Sequence, residues 1–326
     1  MVPRKVDVVA GSRLHFGLLS FGNNSVRQFG GAGVMVSTPA VHLRVSPAER
    51  FLVTGPAKDR VAAIVRAWSA WRKVESLACR IDVLELPWLH TGLGVGTQLT
   101  LSVSHALDAW TGYPTPPIAE VAVAMGRGRR SAVGTYGFAW GGLIAEGGKS
   151  EEMLSPLDRR LALPEAWRFV LVCPDGVRGL DGPRENATFQ HLPPVPADVS
   201  RELVSELQDH LLPAVVAGRF EAFSESVYRF GYRAGLCYAT VQGGPYNGPR
   251  PTELVRAIRD LGVVGTGQSS WGPTVFAICR DASQAESLIR GLADRQFLHD
   301  TQVTVAAPCN AGAQVTVTYA HEETIQ

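Results

Sequence analysis

His90-Thr91-Gly92-Leu93-Gly94-Val95-Gly96-Thr97-Gln98, with Pro87 just ahead of it, is the stretch on which the fold of this 326-residue chain turns. Upstream, Arg80–Leu84 alternates apolar and polar residues as a half-buried strand does. Downstream, Leu99, Val103, Ala106, Leu107 and Trp110 recur at helical spacing and form one apolar stripe. The glycines therefore join a strand to a helix. At such a junction the first helical N–H groups lack intrahelical partners, and the helix dipole favours negative charge. Gly92, Gly94 and Gly96 give the backbone freedom to converge on an anion, and Thr97 and Gln98 add polar side chains. The pattern predicts a phosphate-binding turn. It is not a Walker A loop, which needs a lysine after its last glycine, nor the G-x-G-x-x-G dinucleotide fingerprint.

Working outward, three other segments share this glycine-rich, polar character. SRLHFGL near the N-terminus puts Arg13 and His15 on one side of an extended segment, because side chains two apart share a face. Met125–Gly148 carries Arg127, Arg129 and Arg130 among glycines, a flexible backbone bearing permanently charged donor forks suited to an oligophosphate. Gly265–Ile278, GTGQSSWGPTVFAI, is a polar turn feeding an apolar strand, and its Trp271 could stack on an aromatic ligand or simply pack.

The rest of the chain reads as an α+β order. Strands are predicted at Val6–Val9, Val41–Val45, Arg168–Cys173, Thr274–Cys279, Thr301–Ala306 and Gln314–Tyr319. Helices are predicted at Val61–Trp71, Val199–Ala217, Phe220–Ala234, Thr252–Leu261 and Ala282–Asp294. The proline-rich His191–Ala197 is irregular. The length suggests two domains, 1–160 and 161–326. Gly235–Pro249 has the glycines and tyrosines of a lid.

Thirty-one Lys and Arg against 30 Asp and Glu leave a net charge of +1, which supplies no general field for nucleic acid or an anionic membrane. No apolar run is long enough to span a bilayer, and Asp7 interrupts the place of a signal-peptide core. The five cysteines are scattered, without a C-x-x-C pair, so neither a disulfide framework nor a zinc site is expected and a reducing cytoplasm is.

Pro87 … Gly92-Leu93-Gly94 and the late glycine loop resemble the GHMP superfamily of small-molecule kinases, except that Val95-Gly96 stand where those kinases carry two serines that hold nucleotide phosphate and metal. A narrower resemblance covers most of the chain. RLHFGL, GLGVGTQLTL, GRGRRSAVGTYGF with GGLIAEGG, GLDGPRENATF and GQSSWGPTVFA, in this order, resemble the β-ribofuranosylaminobenzene 5′-phosphate synthases, a non-kinase branch of the superfamily. The resemblance implies a two-domain GHMP fold, with an N-terminal β/α phosphate-loop domain and a ferredoxin-like C-terminal domain. It implies ATP-independent, decarboxylating transfer from phosphoribosyl pyrophosphate to 4-aminobenzoate or a close para-substituted benzoate, on the way to tetrahydromethanopterin, by a homodimer using Mg²⁺. Under it, Gly92, Gly94, Gly96, Thr97 and Gln98 hold pyrophosphate, and Arg127, Arg129, Arg130 and Ser131 take the sugar phosphate or share pyrophosphate. Ser269, Ser270 and Gly272 form the third loop, and Arg13 and His15 hold the benzoate or the ribose. Glu185 and Glu146 are the candidate carboxylates, with His15 the third catalytic candidate. The alternatives are an ATP-dependent kinase and a non-catalytic phosphometabolite-binding protein.

Overall fold

The computed structural model describes residues 3–23, 26–150, 154–177, 179 and 182–319, with 182–186 described through the backbone alone. Two long strands, β1 (Pro3–Ser20) and β2 (Phe29–Pro47), begin the chain. They are followed by β3 (Leu52–Thr54), α1 (Lys58–Arg72), β4 (Cys79–Glu85), α2 (Val95–Thr111), α3 (Ile118–Ala124), α4 (Val133–Trp140), β5 (Leu143–Glu146) and β6 (Leu157–Leu161). Next come β7 (Arg168–Pro174), α5 (Gly182–His191), α6 (Ala197–Ser205), α7 (Leu212–Val216), α8 (Phe220–Leu236), α9 (Ala239–Gln242) and α10 (Pro249–Asp260). The order closes with β8 (Thr266–Gln268), β9 (Val275–Cys279), α11 (Ala282–Asp294), β10 (Thr301–Ala306) and β11 (Gln314–Tyr319).

The strands form two sheets. The first runs β11-β1-β2-β4-β3, and β2 also pairs with β5, which pairs with β6. The second runs β10-β7-β9-β8. The last strand of the chain thus returns to the first sheet, beside β1. Alternation along β1, β2 and β4 turns Val6, Val8, Leu43, Val45 and Ile81 inward beneath the apolar stripes of α1 and α2. In the second sheet, β7 is apolar on both faces: Val170 and Val172 pack with α10 and α11, and Phe169 and Leu171 join the main core. Phe16 of β1 meets Phe276 of β9 with ring centroids 5.5 Å apart, tying the sheets together.

Two features place the site. The β1–β2 register slips between His15 and Gly17, an irregularity that bends the strand and re-aims its side chains. At one end of the helix pair, Arg60 of α1 reaches Gly96 of α2. At the other end, Trp68 and Arg72 bond the buried Asp108 at 3.0 and 2.9 Å. The two helices therefore run side by side in the same direction, and both N-termini face the glycine-rich turn.

Two expectations differ from what is observed. Val199–Ala217 is not one regular helix, because a π-helical turn, Glu206–Leu211, separates α6 from α7. Pro213 in the first turn of α7 explains it: proline has no N–H to donate to the preceding turn and crowds the carbonyl there. Met125–Gly148 is not simply a flexible backbone, since it folds into α4 and β5. Its Gly137 is required by packing, as a Cβ there would run into Met35 Sδ.

Candidate active site

Gly94 sits at the N-cap of α2 in the left-handed region, φ 70°, a conformation an L side chain adopts only with strain. Its carbonyl accepts from the N–H groups of Thr97 and Gln98 at 2.9 and 3.2 Å. The N–H groups of Val95 and Gly96 then have no partner within the helix. Gly92 is also left-handed, at φ 87°, and packs so closely on the late loop that a Cβ would strike the Ser269 carbonyl oxygen. Gly272 is matched to it, since a Cβ there would strike Thr91 and the Gly92 nitrogen. The two loops predicted from distant parts of the sequence are thus held backbone to backbone.

Around this turn lies a cavity of about 200 Å³ lined by Arg13, Arg60, Arg127, Gly92, Gly94, Gly96, Thr97, Ser270 and Gly272, among others. Arg13 Nη1 donates to the Gly92 carbonyl at 3.3 Å. Arg127 Nε donates to Thr100 Oγ1 at 3.2 Å. The Arg127 guanidinium is lowered to about 10, first by burial and then by repulsion from Arg60 and Arg129. Like charges gathered against two helix N-termini, with no carboxylate among the described lining residues, make an anion cradle.

The cradle opens into a larger cavity of about 490 Å³, and the two share Arg13, Thr97, Arg127, Ser270 and Trp271. His15, Arg129, Arg130 and Ser131 stand along it. Its far part is aromatic. Trp271 meets Tyr238 edge to face at 4.7 Å and Phe189 at 5.8 Å, and Arg130 lies 4.3 Å over the Phe189 ring. Tyr238, Gln242, Pro245 and Tyr246, from the segment read as a lid, make one wall. Ser270, at the junction, is a non-glycine residue held at φ 56°, a strained conformation of the kind that accumulates at ligand sites.

His15 is buried, and its Nε2 lies 3.0 Å from Ser131 Oγ. Burial, reinforced by Arg13, holds the imidazole well below its ordinary range. Glu146 is fully buried, and one of its oxygens accepts from the Ala132 N–H at 2.7 Å where α4 begins. Burial raises its carboxyl, against the opposing hydrogen bond of the Ala132 N–H.

The structure therefore brings together Arg13, His15, Gly92, Gly94, Gly96, Thr97, Arg127, Arg129, Arg130, Ser131, Ser270 and Gly272 around one connected cleft. Gln98 turns inward, donating to the Gly134 carbonyl at 2.8 Å. Ser269 is a joint: it accepts from the His15 N–H at 3.0 Å and donates to the Gly92 carbonyl at 2.7 Å. Glu146 does not line the cleft; its hydrogen bond is to the Ala132 N–H, one residue past Ser131. Glu185 lies on α5, and its side chain falls outside the described residues. Sequence reasoning missed Arg60, one residue ahead of the predicted first helix, together with Phe189 and Tyr238. Only the side-by-side start of α1 and α2 reveals Arg60.

The β-ribofuranosylphenol 5′-phosphate synthase of Archaeoglobus fulgidus is 31% identical, over 94% of this chain and 98% of that protein. The chain belongs to the β-ribofuranosylphenol 5′-phosphate synthase family. A member from Methanothermobacter thermautotrophicus is 27% identical over 82% of this chain and 86% of its own. The family model described as GHMP kinases C terminal matches residues 211–297. Homoserine kinase from Cytophaga hutchinsonii shares the fold with a TM-score of 0.66 and 15% identity, covering 97% of this chain and 98% of its own. Mevalonate pyrophosphate decarboxylase from Streptococcus pyogenes does so at 0.67 and 12% identity, covering 95% and 98%. The synthase-family chain is thus an enzyme of the pentosyltransferase type on an α+β GHMP fold. No helix among the described residues is long and apolar enough to cross a membrane.

Proposed function

We propose that this enzyme transfers ribose 5-phosphate from phosphoribosyl pyrophosphate to a para-substituted benzoate, releasing CO₂ and pyrophosphate, as a step toward tetrahydromethanopterin. One observation carries the reading: an arginine-lined anion cradle runs without interruption into an aromatic slot. Pyrophosphate would sit on the α1 and α2 N-termini under Arg13, Arg60 and Arg127. Arg129 or Arg130 would take the sugar phosphate, leaving the acceptor ring against Tyr238 and Trp271. As the bond from the anomeric carbon to pyrophosphate breaks, negative charge grows on the leaving group, where the fixed cations and N–H groups lie. The acceptor ring attacks through the carbon bearing its carboxylate, and loss of CO₂ restores aromaticity.

Neither position that holds a serine in the kinases carries a hydroxyl here. Val95 is buried in the core, and Arg60 Nη2 lies 2.6 Å from where a Gly96 Cβ would be. Mg²⁺ is the expected cofactor, but the described lining residues include no carboxylate and so do not themselves make a cage for it. The ion would travel on the donor's phosphate oxygens, and charge stabilisation by the chain falls to its arginines.

4-Aminobenzoate and 4-hydroxybenzoate are the acceptors to compare, the second because the relatives' name specifies a phenol product. The test incubates the pure enzyme with phosphoribosyl pyrophosphate, Mg²⁺ and each carboxyl-labelled benzoate, and counts released CO₂. A parallel reaction contains ATP in place of the donor. Release that depends on the phosphoribosyl donor is the expected result. No release with either acceptor, or turnover of ATP, would overturn the proposal.

A further inference from the structure

We propose that a second cavity, behind the anion cradle, binds an amino-substituted nitrogen heterocycle and tightens the cradle's hold on pyrophosphate. Only the tightening rests on the transfer proposed above; the binding site stands by itself.

The cavity measures about 350 Å³, within the range of small-molecule sites. Among the described residues it shares only Leu93 with the cradle and none with the larger, aromatic cavity. One wall belongs to the sheet β10-β7-β9-β8. Side chains alternate between the faces of a strand, and the face that sends Phe169, Phe276 and Ala306 into the main core continues as Cys173, Thr274 and Thr304. In register, Thr304 stands beside Leu171 and Gln302 beside Cys173. An interior face thus turns polar where the cavity opens. Thr274 Oγ1 is buried there with no hydrogen-bond partner among the described residues. A buried hydroxyl left unpaired costs stability, which the polar edge of a ligand would recover. The opposite wall comes from Ala40 of β2, from Glu85 at the end of β4, and from Trp88 just beyond it.

The lining selects by charge. Glu85 is the one charged side chain among the described lining residues, and burial raises the Cys173 thiol, which stays neutral. Where the cradle gathers arginines, this cavity has neither arginine nor lysine among its described residues, so it disfavours phosphates and carboxylates. Trp88 is 45% exposed and offers a flat face to a ring or a cation. A carboxylate, an indole face, threonine hydroxyls and the Gln302 amide around one space fit a planar ring that carries amino groups. Its N–H groups would meet the carboxylate, and its ring nitrogens would accept from the hydroxyls.

Each wall is tied to one loop of the cradle. Thr91 Oγ1 donates to the Trp88 carbonyl at 2.8 Å, and Gly92 follows Thr91 directly. The Ser269 N–H donates to the Thr274 carbonyl at 3.0 Å. Gly92 and Gly272 are where the two loops touch with no room for a Cβ. A ligand that braces Trp88 against Thr274 therefore bears on the contact that builds the cradle. Cavity and cradle are formed in the same arrangement of the loops, so each ligand favours the other, by the same factor in both directions.

The test titrates the full chain with 2,4-diaminoquinazoline by calorimetry, with quinoline-2-carboxylate as a two-ring anion of similar size. Saturable binding of the amine, and none of the carboxylate, is expected. Trp88→Ala should weaken it about 3- to 10-fold, the worth of one aromatic contact. Ala40→Phe, which fills the cavity, should abolish it, and Arg127→Ala should leave it unchanged. Circular dichroism checks that the variants fold. With the amine saturating, pyrophosphate should bind about 5-fold tighter or more, the scale of coupling between linked sites. No binding of the amine, binding that survives both Trp88→Ala and Ala40→Phe, or displacement of the amine by pyrophosphate would overturn the proposed site. Amine binding that leaves pyrophosphate affinity unchanged would overturn the coupling. Failure of pyrophosphate to bind the enzyme alone would fall on the transfer reading and take the coupling with it, while amine binding at the cavity would still stand.

Discussion

The two ends of the cleft are built by different means. The cradle end is mostly backbone: the turn His90–Gly94 and the start of α2, pressed against the Ser269–Gly272 loop so closely that neither Gly92 nor Gly272 has room for a Cβ. The ring end is mostly side chain, assembled from β1, α5, the α8–α10 connection and Trp271. A backbone cradle depends on each Cα position and fails as a unit, whereas a side-chain slot degrades by degrees. Substitutions at the two ends should therefore differ in kind as well as in size.

The largest effect is expected from Gly92→Val. The left-handed backbone alone penalises an L residue by about 1–2 kcal/mol, and the collision with the Ser269 carbonyl adds to it by forcing the two loops apart. Turnover should fall by about 100-fold or more, the scale of an ångström-sized displacement of reacting groups, and the melting temperature should drop with it. Wild-type turnover in Gly92→Val would break the claim that backbone packing builds the cradle. Next comes Arg127→Ala. Loss of one charged hydrogen-bonding partner is worth about 1.5–3 kcal/mol, so pyrophosphate affinity by calorimetry should weaken about 10- to 100-fold. Because Arg60 and Arg129 crowd this buried guanidinium, the unliganded variant should melt no lower than wild type. A lower melting temperature with unchanged affinity would make Arg127 structural.

The same contrast governs what could be read from the sequence. The cradle was legible because its signal is contiguous: alternate glycines between a strand pattern and a helical stripe specify both conformation and chemistry. Arg60 escaped because nothing local to residues 58–61 shows that α1 starts beside α2. Polarity puts Gln98, and the family resemblance puts Ser269, among the ligand-binding residues, yet one bonds the Gly134 carbonyl and the other joins His15 to Gly92. Sequence cannot tell a hydroxyl that meets substrate from one that fastens two loops. The π-turn before Pro213 was invisible to a pattern that counts apolar spacing and not hydrogen-bond register. Phe189 and Tyr238 look like any core aromatics until the α8–α10 connection folds over β1.

At the ring end, Tyr238→Ala should act mildly and selectively. An aromatic pair contributes about 0.5–1.5 kcal/mol beyond buried area, so the acceptor KM should rise roughly 3- to 10-fold by that measure, with a smaller change in the donor KM. Equal changes in both would show that the slot and the cradle are one unit, against the comparison drawn here.

The smallest effect belongs to the residue between the two ends. His15 in the folded chain holds a proton less readily than an unfolded histidine, whose ordinary value is 6.5. Below about pH 6.5 the unfolded chain therefore binds more protons than the folded one, and stability must fall as pH drops. Above that value the contribution is complete. Glu146 has the opposite sign: its raised carboxyl takes up a proton more readily when folded, so acid partly offsets the loss. His15→Asn removes only the first contribution. Denaturant melts between pH 5 and 7 should then show a shallower acid decline than wild type, by at most about 1.4 kcal/mol per pH unit for a single group. An identical decline in the variant would mean that His15 takes up its proton in the folded cleft, and the neutral imidazole that sits between cradle and slot would be lost.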